Sequence, residues 1–177
     1  WPGTLSSTRD ALTHASTGAM STSVDDDESK LGQSAIGYLI DWRDSASPAL
    51  LYDLLEAGAN VRVATAPFTA LTTNEGSINF GYGTLFVAPK LQESIPQPVL
   101  SLLAEAQAEG LAIYPAASSY TPEGIDLGSR AFDVLSMPKV LMVTGPGTSA
   151  YGTGEIWHLL DRRLDMFLVH FVRSMVW

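Results

Sequence analysis

The stretch that most constrains this fold is a strand–turn–helix near the C-terminus. Lys139-Val140-Leu141-Met142-Val143-Thr144-Gly145-Pro146-Gly147 runs on to Gly154-Glu155-Ile156-Trp157-His158-Leu159-Leu160-Asp161. An apolar run, a glycine-rich turn and a helical segment in that order read as the opening βα unit of an α/β sheet. The first unit of such a sheet cannot bury both its faces alone. Either the strands before it complete the sheet, or another polypeptide does.

A chain of 177 residues is one or at most two small domains, enough for a real core. No apolar run approaches the ~18 to 20 residues needed to span a bilayer. The longest candidate, Phe167 to Trp177, is interrupted by His170 and Arg173. The formal charge of −9 argues against nucleic acid, because phosphate binding needs clustered Lys and Arg. The basic residues are scattered, with only Arg162 and Arg163 adjacent, so a protein partner fits better. The absence of cysteine removes disulfides, thiolate metal sites and cysteine nucleophiles together. The chain begins at Trp1 without an apolar signal core, so its start is expected to be a processed or truncated end.

Residues 1–34 are expected to be a tail or linker. Ser and Thr dominate them, and the acidic run Asp25-Asp26-Asp27-Glu28 follows without the spacing of a calcium loop. Order is expected from Ala35, with residues 35–138 as an α/β portion and 139–177 as a terminal βα unit with an apolar end. Ile36 to Ile40 suits a buried strand. Ser47-Pro48 reads as an N-cap and N1 proline, Leu50, Leu51, Leu54 and Leu55 share a helical face, and Gly58 closes the helix. Val61 to Ala64 then completes a βαβ unit with a parallel pair. Residues 65–83 read as loop with one extended piece near Ile78 to Phe80. Strands are predicted near 36–40, 61–64, 84–88, 111–114 and 140–144, and helices near 48–57, 98–109 and 153–163. The fold expectation is therefore α/β, a mainly parallel sheet with flanking helices and an incomplete flavodoxin-like or amidotransferase-like C-terminal unit.

Four segments carry a family resemblance in order and spacing: Gly83-Thr84-Leu85-Phe86-Val87, Asp126-Leu127-Gly128-Ser129, Pro138-Lys139-Val140 and Gly154-Glu155-Ile156-Trp157-His158-Leu159-Leu160-Asp161. Over residues 35–166 the chain resembles the region C-terminal to the catalytic domain in large bacterial zinc carboxypeptidases of the M14 type. That region ends in a class I glutamine-amidotransferase-like domain. The resemblance implies a periplasmic or secreted protein. It also brings departures. The chain has no His-x-x-Glu zinc motif, and after Asp165-Met166 the family's Pro-Val-Thr-like strand is replaced by Phe167 to Trp177.

Three constellations bear on chemistry. Gly145-Pro146-Gly147-Thr148-Ser149-Ala150 fits G-x-G-x-x-A, with Asp165 at the distance of a ribose-binding acid. Pro146 removes a backbone donor, and Tyr151-Gly152-Thr153-Gly154 disfavours a helix starting inside the motif. Glu155 and His158 share a helical face, but no third ligand stands at defined spacing, while Ile156, Leu159 and Leu160 are expected to face the core. Gly147 to Gly152 is one residue too long for G-x-S-x-G. No catalytic, metal or cofactor residue is assigned.

The expected function is a non-catalytic accessory or interaction module, a structural subunit of a larger assembly derived from a peptidase-associated domain. The alternative is a fragment of a secreted zinc carboxypeptidase whose catalytic domain lies outside this chain. A third reading is a small-molecule sensor built on the Gly145–Ser149 loop. Phe167, Phe171, Val172 and Trp177 are the expected partner-binding residues, as aromatic anchors in another protein chain. The same run could instead be a strand beside Val140 to Thr144.

Overall fold

A computed structural model describes Leu31, Ser34, residues 36–92, residues 96–164, Met166 and residues 168–172, with the backbone alone for 96, 97 and 168–172. The elements run β1 (Gly37–Ile40), α1 (Ser47–Glu56), β2 (Val61–Ala64), β3 (Phe68–Thr72), β4 (Gly76–Phe80) and β5 (Leu85–Val87). After a 3₁₀ turn at Pro89–Leu91 come α2 (Pro96–Ala108), β6 (Ile113–Ala116), β7 (Glu123–Gly124) and β8 (Phe132–Val134). The chain continues through β9 (Val140–Thr144), α3 (Ala150–Trp157), a π-helical turn at His158–Arg163 and β10 (Leu168–Val172).

The expectation of a mainly parallel sheet is overturned. Strands β4-β3-β6-β1-β5-β2-β8 form one open sheet, with β7 on β3, and every pairing in it is antiparallel. The reason lies in what fills the gap between the strands of each βαβ unit. β1 and β2, joined by α1, run in the same direction, but β5 lies between them and is antiparallel to both. β5 and β6, joined by α2, are likewise separated by β1. Two interlocked split βαβ units result, the ferredoxin-like arrangement. The helix-joined crossover is readable in the chain; the strand inserted into it is not.

Alternation along the central strands buries both faces of this sheet. Tyr38 and Ile40 of β1, Val61 of β2 and Leu85 and Val87 of β5 pack against Leu50 and Leu54 of α1 and Val99 and Leu103 of α2. Leu31, inside the stretch expected to be a linker, is fully buried in this core. Each of these helices ends in a paired hydrogen-bond closure. After α1, Gly58 N–H donates to Leu55 O (3.0 Å) and Ala59 N–H to Leu54 O (2.8 Å). After α2, Gly110 and Leu111 repeat the pattern on Gln107 and Ala106. The start of α1 differs from expectation. Ala46 is the N-cap, and Ser47 Oγ donates to Asp41 O at 2.7 Å instead of capping the helix.

Among the described residues the opposite face carries no helix. Leu39, Ala64, Phe86 and Ala116 are covered there by Phe68, Phe80 and Phe132. Phe68 stacks on Phe80 with ring centres 5.3 Å apart, and Phe132 meets Phe68 and Phe86 edge-on at 5.4 and 5.8 Å. The β3–β4 hairpin supplies two of these rings; the extended piece expected near Ile78 to Phe80 is part of β4, while β3 falls in the segment read as loop. The hairpin turn is fastened by Thr72, whose Oγ1 donates to Gly76 O and accepts from Glu75 N–H.

β9 and β10 stand apart from this sheet as a two-stranded parallel pair. Leu168 pairs with Val140 and Val172 with Thr144, with α3 and the π-helical turn as the crossover. The strand predicted at 140–144 is thus present, and the apolar terminal run supplies its partner.

Candidate functional site

The terminal βαβ unit is the candidate site. Its loop is a tight, self-bonded turn. Gly145 and Gly147 adopt φ of 127° and 93°, and Thr148 fastens the turn: its N–H and Oγ1–H approach Gly145 O at 3.0 and 2.8 Å. Ser149 is the N-cap, extended at φ −74° and ψ 119°, and its Oγ accepts from Gly152 N–H at 3.3 Å. This cap overrides the poor helix propensity of the glycines that follow, so α3 begins at Ala150, inside the motif. The expected start at 153 is corrected, and the informative signal was Ser149 itself.

The loop and helix start border an open cleft of about 460 Å³ lined by Thr144, Gly145, Thr148, Thr153 and Trp157. Its strand–glycine loop–helix order has the outline of a phosphate site. The chemistry is less suited: the loop carbonyl and hydroxyl already satisfy one another, the cap is occupied, and Pro146 has no N–H.

Glu155 and His158 are both exposed, bordering a second open cleft of about 560 Å³ with Tyr151, Leu159 and Arg163. Among the described residues no three His, Asp or Glu side chains converge as a metal site would require. Ile156 and Leu159, expected to face the core, are instead 52% and 47% exposed. The Arg162 guanidinium lies 6.0 Å from the centre of the Trp157 ring.

The apolar character of the unit is most evident on β9. Met142 is buried at 9% exposure, whereas Leu141 and Val143, on the other face of the strand, are 59% and 49% exposed. β10 pairs with β9 alone among the described strands, so the pair has no third strand on either edge. Of the residues expected to bind a partner, Phe167 and Trp177 lie outside the described residues. Phe171 and Val172 lie on β10, opposite Val143 and Thr144, and are described through their backbone. The face of Val140 to Thr144 was expected to need cover, and Leu141 and Val143 are the side chains that β9 leaves exposed on it.

No family model matches the chain, and no curated protein or solved structure matches it either. Fold and site together define an α+β domain bearing an appended βαβ unit. Among the described residues no helix is long and apolar enough to cross a membrane.

Proposed function

We propose that this chain is a non-catalytic interaction module whose terminal βαβ unit receives another protein chain. The supporting observation is the open apolar face of β9, where Leu141 and Val143 stand exposed on a sheet of two strands. A parallel sheet is ordinarily covered on both faces, so this one has the character of a partial sheet awaiting strands or a helix. Phe167, Phe171, Val172 and Trp177 are assigned as further anchors for that partner from their residue types in the sequence. The resemblance to peptidase-associated, amidotransferase-like regions supports an accessory role in a periplasmic or secreted assembly.

Site-specific photo-crosslinking tests this reading. Benzoylphenylalanine at position 141 or 143 is expected to capture one discrete protein partner in extracts of the source cells. The same label at Tyr120, exposed on the main domain, is expected to capture none. Equal labelling from all three positions, or zinc-dependent release of C-terminal residues from peptides by this chain alone, overturns the proposal.

A further inference from the structure

Helices α1 and α2 lie side by side on the main sheet and leave a groove of about 240 Å³ between them. Ala46 and Ala49 from the α1 side, with Leu102 and Ala106 from α2, give it an apolar, shallow-walled lining. Leu50 and Leu111, both buried, also line it; Asp53, Glu105 and Glu109 add carboxylates, and among the described residues no lysine, arginine or histidine lines it. Glu105, on α2, and Glu109, the residue just past its end, are exposed, and Glu109 N–H donates to Glu105 O at 3.0 Å, so the two stand one helical turn apart.

We propose that this groove docks a basic amphipathic helix from another protein. The volume is below the roughly 300 Å³ at which small-molecule sites begin, which favours one or two inserted side chains over a free ligand. The alanines let a second helix approach closely, and its leucine or methionine would fill the space against Leu102. Lysine or arginine residues four apart on that helix match the one-turn spacing of Glu105 and Glu109. The chain's net charge of −9 steers such a partner toward it. The groove is built wholly from the main domain, so the inference stands independently of the terminal βαβ unit.

The test uses the full chain, labelled with ¹⁵N, and a synthetic helical peptide of about 14 residues with a leucine stripe flanked by lysines. Saturable shifts are expected at the amides of Ala49, Asp53, Leu102 and Ala106. The double substitution Glu105→Gln/Glu109→Gln should weaken binding about tenfold or more. Ala49→Gln, which fills the groove without altering charge, should do the same while the rest of the spectrum stays unchanged. A peptide with serine in place of leucine should bind weakly, and one with glutamate in place of lysine should not bind. Shifts confined to the acidic run Asp25–Glu28, undiminished binding by both variants, or equal binding of the serine peptide would overturn the proposal.

Discussion

Asp41 and Arg43 illustrate how little sequence separation a strong local interaction needs. The Arg43 guanidinium forms a fork with the Asp41 carboxylate, and the Arg43 N–H adds a third donor at 2.9 Å. The side-chain hydrogen bonds from Arg43 hold the Asp41 carboxyl below its ordinary 3.8, outweighing partial burial, which pushes the other way. A depressed carboxyl contributes stability above its unfolded value, and that contribution is lost as pH falls through the folded value. Arg43→Ala should therefore return the Asp41 titration toward 3.8, read from its side-chain carboxyl carbon by NMR. Global stability at neutral pH should change little, because the guanidinium is exposed and screened by solvent. A titration unmoved by Arg43→Ala would show that the backbone N–H alone sets it. The pair was not legible beforehand. An Asp-x-Arg on a surface loop is common, and only the turn after β1 brings the two forks together.

At the scale of elements, the helices and central strands were legible because their patterns are local. Leu50 and Leu54 mark one face of α1, and the apolar runs at 36–40 and 84–88 mark strands buried on both sides. What escaped was β3: the extended piece near Ile78 to Phe80 is part of β4, but the Thr, Asn and Gly residues around it resemble loop chemistry, and Phe68 and Ala70 are too sparse to announce a pairing strand. β7 escaped for the same reason, being two residues long, yet it holds the hairpin in place. Gly124 of β7 pairs with Phe68 at φ 87°, and a Cβ there would sit 2.4 Å from Pro67 O and 2.7 Å from Phe68 Cα. Both obstacles are backbone and cannot swing aside. Gly124→Ala should cost about 2 kcal/mol or more, from the left-handed backbone and the forced separation of β7 from β3. The measurement is the urea midpoint, with an unchanged slope if the native sheet otherwise persists. An unshifted midpoint would mean that β7 contributes nothing to the seating of Phe68.

The whole molecule divides its burial unevenly, and this sets where it should open first. Every fully buried large side chain among the described residues lies at or before Leu103, in or against the main sheet and its two helices. Among the described residues from Val140 onward Met142 alone is buried, and α3 has no buried residue. The terminal strand–turn–helix was readable at the outset, and so was its inability to cover itself. The direction of the remaining sheet was not, because strand order depends on which distant segment slips between β1 and β2. β9, with Met142 as its one buried side chain, has little apolar burial to oppose the entropy of ordering it. Amide hydrogen exchange should therefore divide the molecule. Amides of Leu39 and Phe86 should exchange only through global unfolding, and those of Met142 and Val143 about 100-fold faster through local opening. Adding the partner captured at position 141 should slow exchange at β9 and leave β1 and β5 unchanged. Uniform protection across both sheets in the free chain would instead mean that the βαβ unit is stabilised from within, and the argument that its apolar face is held open for another protein would fail.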